Sequence, residues 1–397
     1  MATKAAEKKT VKPAADDISI EINQSALSAA LDAVAPAKGK DGVIPCLEHV
    51  RFEVKDGDLF VALTSLDVWL IERAETVETI GSGRFLVPFK RLRDFTARTE
   101  GQMTIKAAGA KVIVRCGKAK AEFQTLNVND FPNEPTGKGK SFTVEGEAIA
   151  RALKVIGKTY STEESRYALA AVNLEVKDDL FIVVATDGHR VGYAEMVRPS
   201  NAPECAALIP KDAIPALVAI GEGDEVKFLL ADNHVFASTK SRQMIARLGT
   251  GQFPNFRLVL DGSKNHPIEV KVSSFAALNA IGRISAACEV KSKLQSAGSV
   301  VVTLKKGSLK FKMASDVGIA EDSVNVEYDG EPMSFCLNRQ YLADALAIAD
   351  EPILRVKSPD SQVELVSQGD QMRALHIVMT MRMDKVEGGE KGKGSEE

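Results

Sequence analysis

A short strand followed by a helix recurs along this chain, and this repeat limits the possible fold more than any other feature of the sequence. In the first copy, Leu27, Ala30, Leu31 and Val34 form an apolar stripe at helical spacing behind an alternating strand. The copies return at a spacing of roughly 60 residues, as repeat architectures do. The predicted strands and helices are 18–22 with 24–34, 85–87 with 89–98, 142–144 with 147–157, 207–209 with 211–220, 268–272 with 274–284, and 334–337 with 338–349.

A second period, about twice as long, groups these units in pairs. Thr64–Asp67, Thr186–His189 and Ser315–Gly318 take similar places in successive thirds of the chain, and Phe131–Asn133 and Phe253–Asn255 close the first two thirds. We therefore predict an α+β protein of three similar domains, each made of two strand–helix halves. The predicted domains are residues 18–140, 141–264 and 265–383, and the terminal segments 1–17 and 384–397 have the composition of disordered arms.

The charge pattern limits how the chain could contact nucleic acid. A formal net charge of −3 provides no overall basic field, so any contact must come from a local concentration of Lys and Arg. Two predicted helices carry such residues, although a solvated face is the simpler interpretation of either helix alone. These residues are Lys90, Arg91, Arg93 and Arg98 on one helix, and Arg151, Lys154 and Lys158 on the other. Because no helix is rich in base-reading side chains, we expect contacts to phosphates that do not depend on base sequence.

Catalytic and cofactor motifs are incomplete. Gly139-Lys140-Ser141 lacks the earlier glycine of a P-loop, since Glu134 stands at that position. Histidines and cysteines do not occur at metal-ligand spacing, so we expect neither a metal nor a cofactor. Asp187 and His189 could supply two members of a hydrolytic triad, but no Gly-x-Ser-x-Gly segment accompanies them. Five scattered cysteines, and the lack of a membrane-length apolar run or a secretory signal, predict a cytoplasmic protein.

Three segments together carry a resemblance to a known family. Ala185–Val191 reads Ala-Thr-Asp-Gly-His-Arg-Val and joins two strand-like runs through an Asp-Gly turn. With Gln252–Phe256 and Met379–Met383, it resembles the bacterial DNA polymerase III beta subunit, the replicative sliding clamp. The resemblance extends from about Ile18 to Met383 and includes Ser161–Arg166.

The resemblance implies a specific assembly and function. Such a chain has three domains and dimerises head-to-tail into a ring, with helices lining the hole and sheets outside. The ring encircles duplex DNA without regard to sequence, and it does no chemistry itself. Because it cannot leave the DNA sideways, a polymerase tethered to it stays at the primer end. The implied partners are the DNA polymerase III alpha subunit, an ATP-driven clamp loader and other proteins with a short Gln, Leu and Phe motif. Two alternatives remain open: a monomeric peptide-binding scaffold that does not encircle DNA, and a hydrolase using Asp187 and His189.

The resemblance also implies site residues. A peptide-binding groove between the second and third domains is expected from Leu169, Thr186, Gly188, His189, Arg190, Val191, Pro254, Val259, Asn338, Tyr341, Ile377, Met379, Thr380, Met381, Arg382 and Met383. For DNA contacts, the positions that match the family are Lys90, Tyr167 and, loosely, Lys38 or Lys40. The basic helix faces described above add Arg91, Arg151 and Lys154 to the expected DNA contacts.

This sequence departs from the family pattern at several positions. Glu163 stands where the family carries a neutral amide, and Asp41 falls near a usual basic position. Thr380 replaces a usual proline, and the chain continues from Asp384 to Glu397 past the customary end. We expect this tail to lie beside the groove and to modulate peptide access.

Overall fold

The computed structural model describes residues 18–39, 42, 44–163, 165–222, 225–262, 266–288, 298–315, 318–369 and 371–382. They form two compact units. Unit 1 comprises the described residues of Met1–Ala150 and Asp212–Leu248, and unit 2 comprises those of Arg151–Lys211 and Gly249–Glu397. The two predicted arms lie outside the described residues, as do Lys40, Asp41 and Met383.

Short antiparallel strands dominate the described residues, and each helix follows a strand or a turn. The strands are β1 Ile18–Asn23, β2 His49–Lys55, β3 Asp58–Thr64, β4 Val68–Ala74, β5 Glu78–Ile80, β6 Gly83–Pro88, β7 Gln102–Ala108, β8 Lys111–Cys116, β9 Ala119–Gln124, β10 Lys140–Val144, β11 Ala171–Lys177, β12 Leu180–Thr186, β13 Arg190–Val197, β14 Cys205–Pro210, β15 Val226–Leu230, β16 His234–Ser238, β17 Arg242–Arg247, β18 Ile268–Lys271, β19 Ser299–Lys305, β20 Ser308–Ser315, β21 Gly318–Asn325, β22 Met333–Asn338, β23 Ile353–Val356, β24 Val363–Gln368 and β25 Arg373–Val378. The helices are α1 Gln24–Val34, α2 Phe89–Thr96, α3 Gly146–Ile156, α4 Ile214–Gly221, α5 Phe256–Gly262, α6 Ser274–Ala287 and α7 Arg339–Leu346.

Unit 1 contains a five-stranded sheet in the order β5-β1-β7-β8-β9 and an eight-stranded sheet in the order β10-β15-β16-β17-β4-β3-β2-β6. The larger sheet joins strands far apart in sequence, because β4 pairs antiparallel with β17 and places Trp69 opposite Ile245. A stacked phenylalanine pair lies between the two outermost strands at each end. Phe52 stacks on Phe85 at one end, with 5.2 Å between ring centroids, and Phe142 on Phe228 at the other, with 5.4 Å.

Unit 2 repeats this construction. Its eight-stranded sheet has the order β14-β11-β12-β13-β25-β24-β23-β18, and its four-stranded sheet has the order β21-β20-β19-β22. The two halves of the larger sheet meet where β13 pairs antiparallel with β25, so that Val191 lies opposite Ile377. The candidate site described below lies at the end of these two strands.

The structure confirms the six predicted strand–helix units, because α1, α2, α3, α4, α6 and α7 occupy the predicted helical segments. The fourth helix begins later than predicted, since a 3₁₀ turn at Lys211–Ala213 precedes it and Pro215 lies in its first turn. Helix α5 was not predicted. Its short sequence after Pro254 lacks a helical period long enough to be recognised.

Within the described residues, no helix is long and apolar enough to span a bilayer. Nor does any group of three or more His, Cys, Asp or Glu side chains in that part of the chain have a metal-binding arrangement. The five cysteines are free thiols, and four of them are buried.

Candidate functional site

The turn between β12 and β13 is held by its own side chains. The Asp187 carboxylate accepts hydrogen bonds from the main-chain N–H groups of His189 (2.9 Å) and Arg190 (3.1 Å). The Thr186 hydroxyl accepts from the Gly188 N–H at 3.1 Å and donates to the Arg190 carbonyl at 2.6 Å. Gly188 has a φ of 93°, which other residues adopt only with strain. The Asp-Gly pair therefore fixes the path of the backbone at the site.

Arg190 connects this turn to α7 and to the chain just after α3. Its Nε donates to Asp187 at 3.1 Å, its Nη1 donates to Asp344 at 2.6 Å, and its Nη2 donates to the Lys158 carbonyl. The guanidinium also lies over the Tyr341 ring, 4.2 Å from its centroid. Because Arg190 is 8% exposed and its Nε, Nη1 and Nη2 atoms each donate within the protein, it forms part of the wall of the site.

The last turn of α3 and the residues just after it are hydrogen-bonded to β12 and β25. The His376 Nε2 lies 3.0 Å from the Val155 carbonyl, so this nitrogen carries the proton and donates it. Burial lowers the pKa of His376 to about 4, so the ring is neutral near pH 7. The Thr159 hydroxyl donates to the Ile156 carbonyl at 2.6 Å and also lies 3.3 Å from the Ala185 carbonyl. Groups on both β12 and β25 therefore depend on the position of this end of the helix.

A polar pocket of about 470 Å³ opens above this wall. Its rim includes an exposed ion pair between Arg166 and Glu163, with 2.8 Å between the charged atoms. Burial, and secondarily the nearby Asp187 carboxylate, raises the pKa of the Tyr341 phenol, which therefore stays protonated near neutral pH. The lining residues are Lys158, Tyr160, Ser161, Thr162, Glu163, Arg166, Asp187, His189, Arg190 and Tyr341.

An apolar cluster lies on one face of the eight-stranded sheet of unit 2. Helix α5 contributes Phe256 to the cluster, and Phe253 and Val259 pack against it while remaining partly accessible. The buried members are Ile182, Val184, Val191, Tyr193, Phe256, Val366, Leu375 and Ile377. Val191 and Ile377 belong to the two strands that end at the polar pocket, so the site combines polar and apolar surface within unit 2.

The segment after β25 continues past the pocket with its backbone fixed. The Met379 N–H donates to the His189 carbonyl at 3.0 Å, and the Met381 N–H donates to the Cys336 carbonyl at 2.8 Å. Thr380 donates its hydroxyl to the Asp360 carbonyl at 3.1 Å. A proline at this position would fix φ but could not make this bond.

Most of the sixteen expected groove residues meet in this region of unit 2. Residues that line the pocket or build its turn are Thr186, Gly188, His189, Arg190 and Tyr341. Residues of the apolar cluster or packed against it are Val191, Val259 and Ile377. Asn338 caps α7 by accepting from the Tyr341 N–H at 3.2 Å, which positions a lining residue without lining the pocket itself.

Leu169, Pro254 and Arg382 are neither lining residues of the pocket nor members of the apolar cluster. Leu169 is half-buried, and its carbonyl accepts from the Ser161 N–H at 2.8 Å. Pro254 and Arg382 are exposed, and Met383 lies outside the described residues.

Asp344 and the lining residue Tyr160 were not singled out from the sequence. Asp344 lies 154 positions from Arg190, and only folding brings them together. Its position three residues after Tyr341 on the same helix is the one sequence signal that could have indicated it. Lys158 was recognised only as part of a basic row, whereas its ammonium group lies 4.0 Å from Asp344 and lines the pocket.

The basic residues expected to contact DNA lie on exposed helix faces. Lys90 and Arg91 are exposed on α2 in unit 1, and Arg151 and Lys154 are exposed three positions apart on α3. Tyr167, in unit 2, is 72% exposed. Arg93 on α2 pairs with Asp32, and Arg98, two residues after the end of α2, pairs with Asp94. Half-buried Lys38 follows α1.

The geometry of Asp187 and His189 does not favour a hydrolytic triad. The carboxylate of Asp187 bonds the main chain of the turn and the Arg190 guanidinium, whereas a triad requires it to orient the imidazole. The histidine ring is exposed at the pocket rim.

Comparison with known families gives three consecutive matches, all to the DNA polymerase III beta subunit. The profile of its N-terminal domain matches residues 18–135, that of its central domain residues 143–255, and that of its C-terminal domain residues 264–382. The beta sliding clamp of Pseudomonas putida is 25% identical over 371 residues, covering 91% of this chain and 99% of that protein. That of Escherichia coli K12 is 23% identical over 360 residues, covering 89% and 96%.

Solved structures show the same fold. The Pseudomonas aeruginosa sliding clamp bound to griselimycin superposes with a TM-score of 0.82 at 24% identity, covering 93% of this chain and all of the other. The beta subunit from Thermotoga maritima superposes with a TM-score of 0.81 at 20% identity, covering 92% of this chain and all of the other.

Proposed function

Because the chain belongs to the bacterial DNA polymerase III beta-subunit family and is a DNA sliding clamp, we propose that it encircles duplex DNA as a head-to-tail homodimer and tethers the replicative polymerase through the pocket of unit 2. The proposed clamp domains are residues 18–140, 141–264 and 265–383. A ring threaded by DNA cannot leave sideways, so a protein bound to it keeps a high effective concentration at the primer end. The clamp is non-catalytic and cytoplasmic, and the polymerase alpha subunit and a clamp loader are its partners.

The observation that carries the peptide-binding part of this proposal is the composite site of unit 2. Polar groups at His189 and Tyr341 line the pocket, and the apolar cluster of the same unit includes Ile377. Half-exposed Met379 follows two residues later and donates its main-chain N–H to the His189 carbonyl. A linear motif with a glutamine and large apolar residues needs both kinds of surface. Met side chains are flexible and polarizable, so they adapt to peptides of different shape.

Contact with DNA is proposed for Lys90, Arg91, Arg151, Lys154 and Tyr167. These side chains are exposed, and the cations among them suit phosphates rather than base edges. The chain has a net charge of −3, so the contact should be weak and strongly dependent on salt. Weak contacts suit a protein that slides, because tight ones would create energy wells along the DNA.

Retention on DNA tests the encircling proposal. The protein is assembled by a clamp loader on nicked circular DNA, and one sample is then cut once with a restriction enzyme. An encircling ring stays on the circle and slides off the linear product, whereas ordinary binding decays equally from both. Equal retention on the two forms would refute encirclement.

One observation favours the alternative of a monomeric scaffold. All ten lining residues of the pocket lie in unit 2 of a single chain, so peptide binding does not need a second copy. Sedimentation at micromolar concentration separates the two functions. A dimer supports the ring, and a monomer that still binds the peptide supports the scaffold.

A further inference from the structure

The methionines of this chain differ sharply in their access to solvent. Among those that the structure describes, only Met379 is exposed, with 46% of its surface accessible. Met103, Met244 and Met313 are buried in the cores of the two units, and Met381 is half-buried. A small oxidant in water therefore reaches the sulfur of Met379 before those of the buried methionines.

The exposed methionine also has a fixed place. Its main-chain N–H donates to the carbonyl of His189, a residue of the pocket lining, at 3.0 Å. The residue two positions earlier, Ile377, belongs to the apolar cluster. The backbone of Met379 is thus held between the pocket lining and the apolar cluster, and its exposed thioether is attached at that point, so a change in its polarity occurs beside the site.

We propose that Met379 is a redox modification site, at which hydrogen peroxide converts the thioether to the sulfoxide and thereby weakens partner binding. This inference rests on the proposed peptide-binding function of the pocket. The sulfur lone pair attacks one peroxide oxygen; a sulfur–oxygen bond forms and the oxygen–oxygen bond breaks. The sulfur loses two electrons, and the departing hydroxide takes up the remaining proton and leaves as water. A methionine sulfoxide reductase reverses the change with two thiol groups as the electron donors, which are oxidised to one disulfide while the sulfoxide oxygen leaves as water.

The sulfoxide opposes binding because it replaces an apolar, flexible group with a polar one at a surface that must be desolvated. An unsatisfied polar group in such a contact lowers affinity about tenfold.

Cysteine oxidation is a poor competitor at this site. Cys336 accepts the hydrogen bond from Met381 through its carbonyl, but its thiol is buried, and burial raises the pKa of that thiol. The reactive thiolate is therefore scarce at neutral pH. Cys205 is half-buried and more accessible, so the experiment must separate thiol oxidation from thioether oxidation.

The test uses the full chain and a fluorescein-labelled peptide, Gln-Leu-Ser-Leu-Phe, which contains no sulfur. Peptide affinity is measured by anisotropy before treatment with hydrogen peroxide, and again after catalase has removed the oxidant. Peptide mapping by mass spectrometry locates each added oxygen. Treated samples then receive either dithiothreitol alone or dithiothreitol with methionine sulfoxide reductases. The matched variants are Met379→Leu, which keeps the apolar volume, and Met381→Leu.

We expect oxygen at Met379 before any at Met103 or Met244, together with a loss of affinity of about tenfold. The Met379→Leu protein should bind normally and resist peroxide, whereas Met381→Leu should respond as the wild type does. The reductases, and not dithiothreitol alone, should restore binding. The proposal is overturned if fully oxidised Met379 leaves affinity unchanged, if Met379→Leu is equally sensitive, or if dithiothreitol alone restores binding. Failure of the untreated protein to bind the peptide would instead refute the proposed function of the pocket.

Discussion

Replacing Asp344 with asparagine should destabilise unit 2 far more than an ordinary surface substitution. The Asp344 side chain is 7% exposed, and its carboxylate accepts from Arg190 at 2.6 Å and from Gln340 at 3.0 Å. Removing one partner of a buried ion pair costs about 3–5 kcal/mol, because the other charge stays buried without compensation. Here asparagine keeps an acceptor oxygen and Arg190 keeps Asp187, so we expect the Asp344→Asn change to cost about 2–3 kcal/mol.

Urea denaturation at pH 7 measures the free energy of unfolding of the Asp344→Asn variant against that of the wild type. Far-UV circular dichroism follows both units, whereas the single tryptophan, Trp69, reports on unit 1. If the urea midpoint falls further when followed by circular dichroism than when followed by Trp69 fluorescence, the loss of stability lies in unit 2. The matched control is Asp322→Asn, which breaks a 2.7 Å pair to Arg283, an arginine with a 63% exposed side chain, and should cost less than about 1 kcal/mol. If the two variants lose the same stability, the buried ion cluster does not hold the pocket wall in the way described.

Three further perturbations have directions fixed by the structure. Burial lowers the pKa of His376 from 6.5 to about 4, so its contribution to stability is complete above pH 6.5 and declines as the pH falls towards 4. When the pH is lowered from 7 to 5, the free energy of unfolding of a His376→Phe variant should accordingly fall by about 2 kcal/mol less than that of the wild type, as measured by urea denaturation. Gly139→Ala should destabilise unit 1, seen as a lower midpoint of Trp69 fluorescence, because the added Cβ would lie 1.8 Å from the Leu230 carbonyl oxygen. Substituting Lys90 and Arg91 together by alanine should reduce the slope of log K against log salt for duplex binding by up to about 1.8, since each phosphate contact contributes about 0.9.

Matched controls exist for these three variants. His234→Phe makes the same substitution at a histidine that is half-buried rather than fully buried. Gly262→Ala adds a Cβ with no atom within 4 Å and should be nearly neutral. Lys55→Ala removes an exposed positive charge at the end of β2 rather than on a helix, and it should leave the salt slope unchanged. An unchanged slope in the double variant would remove α2 from the proposed DNA contacts.

The sequence determined the local elements because each is encoded by neighbouring residues. Leu27, Ala30, Leu31 and Val34 have helical spacing, and they form the buried stripe of α1. The Asp-Gly pair at Asp187 specifies a tight turn through its side chain and a positive φ, without help from the rest of the chain. Repetition of such signals was sufficient to predict six strand–helix units, and the quoted motifs were sufficient to suggest the family.

Tertiary structure alone decided how the site is held together. Arg190 has the sequence of an exposed turn residue, yet folding buries it between Asp187 on its own turn and Asp344 on α7. The pairing of β13 with β25, which places Val191 opposite Ile377, also joins segments with no fixed spacing in the chain. Periodicity and turn chemistry act over a few residues, whereas these ion pairs and strand contacts depend on which distant surfaces meet. The amino-acid order therefore specified the strands and helices. Their packing buried Arg190 as a structural support and left Met379 exposed next to the pocket residue His189.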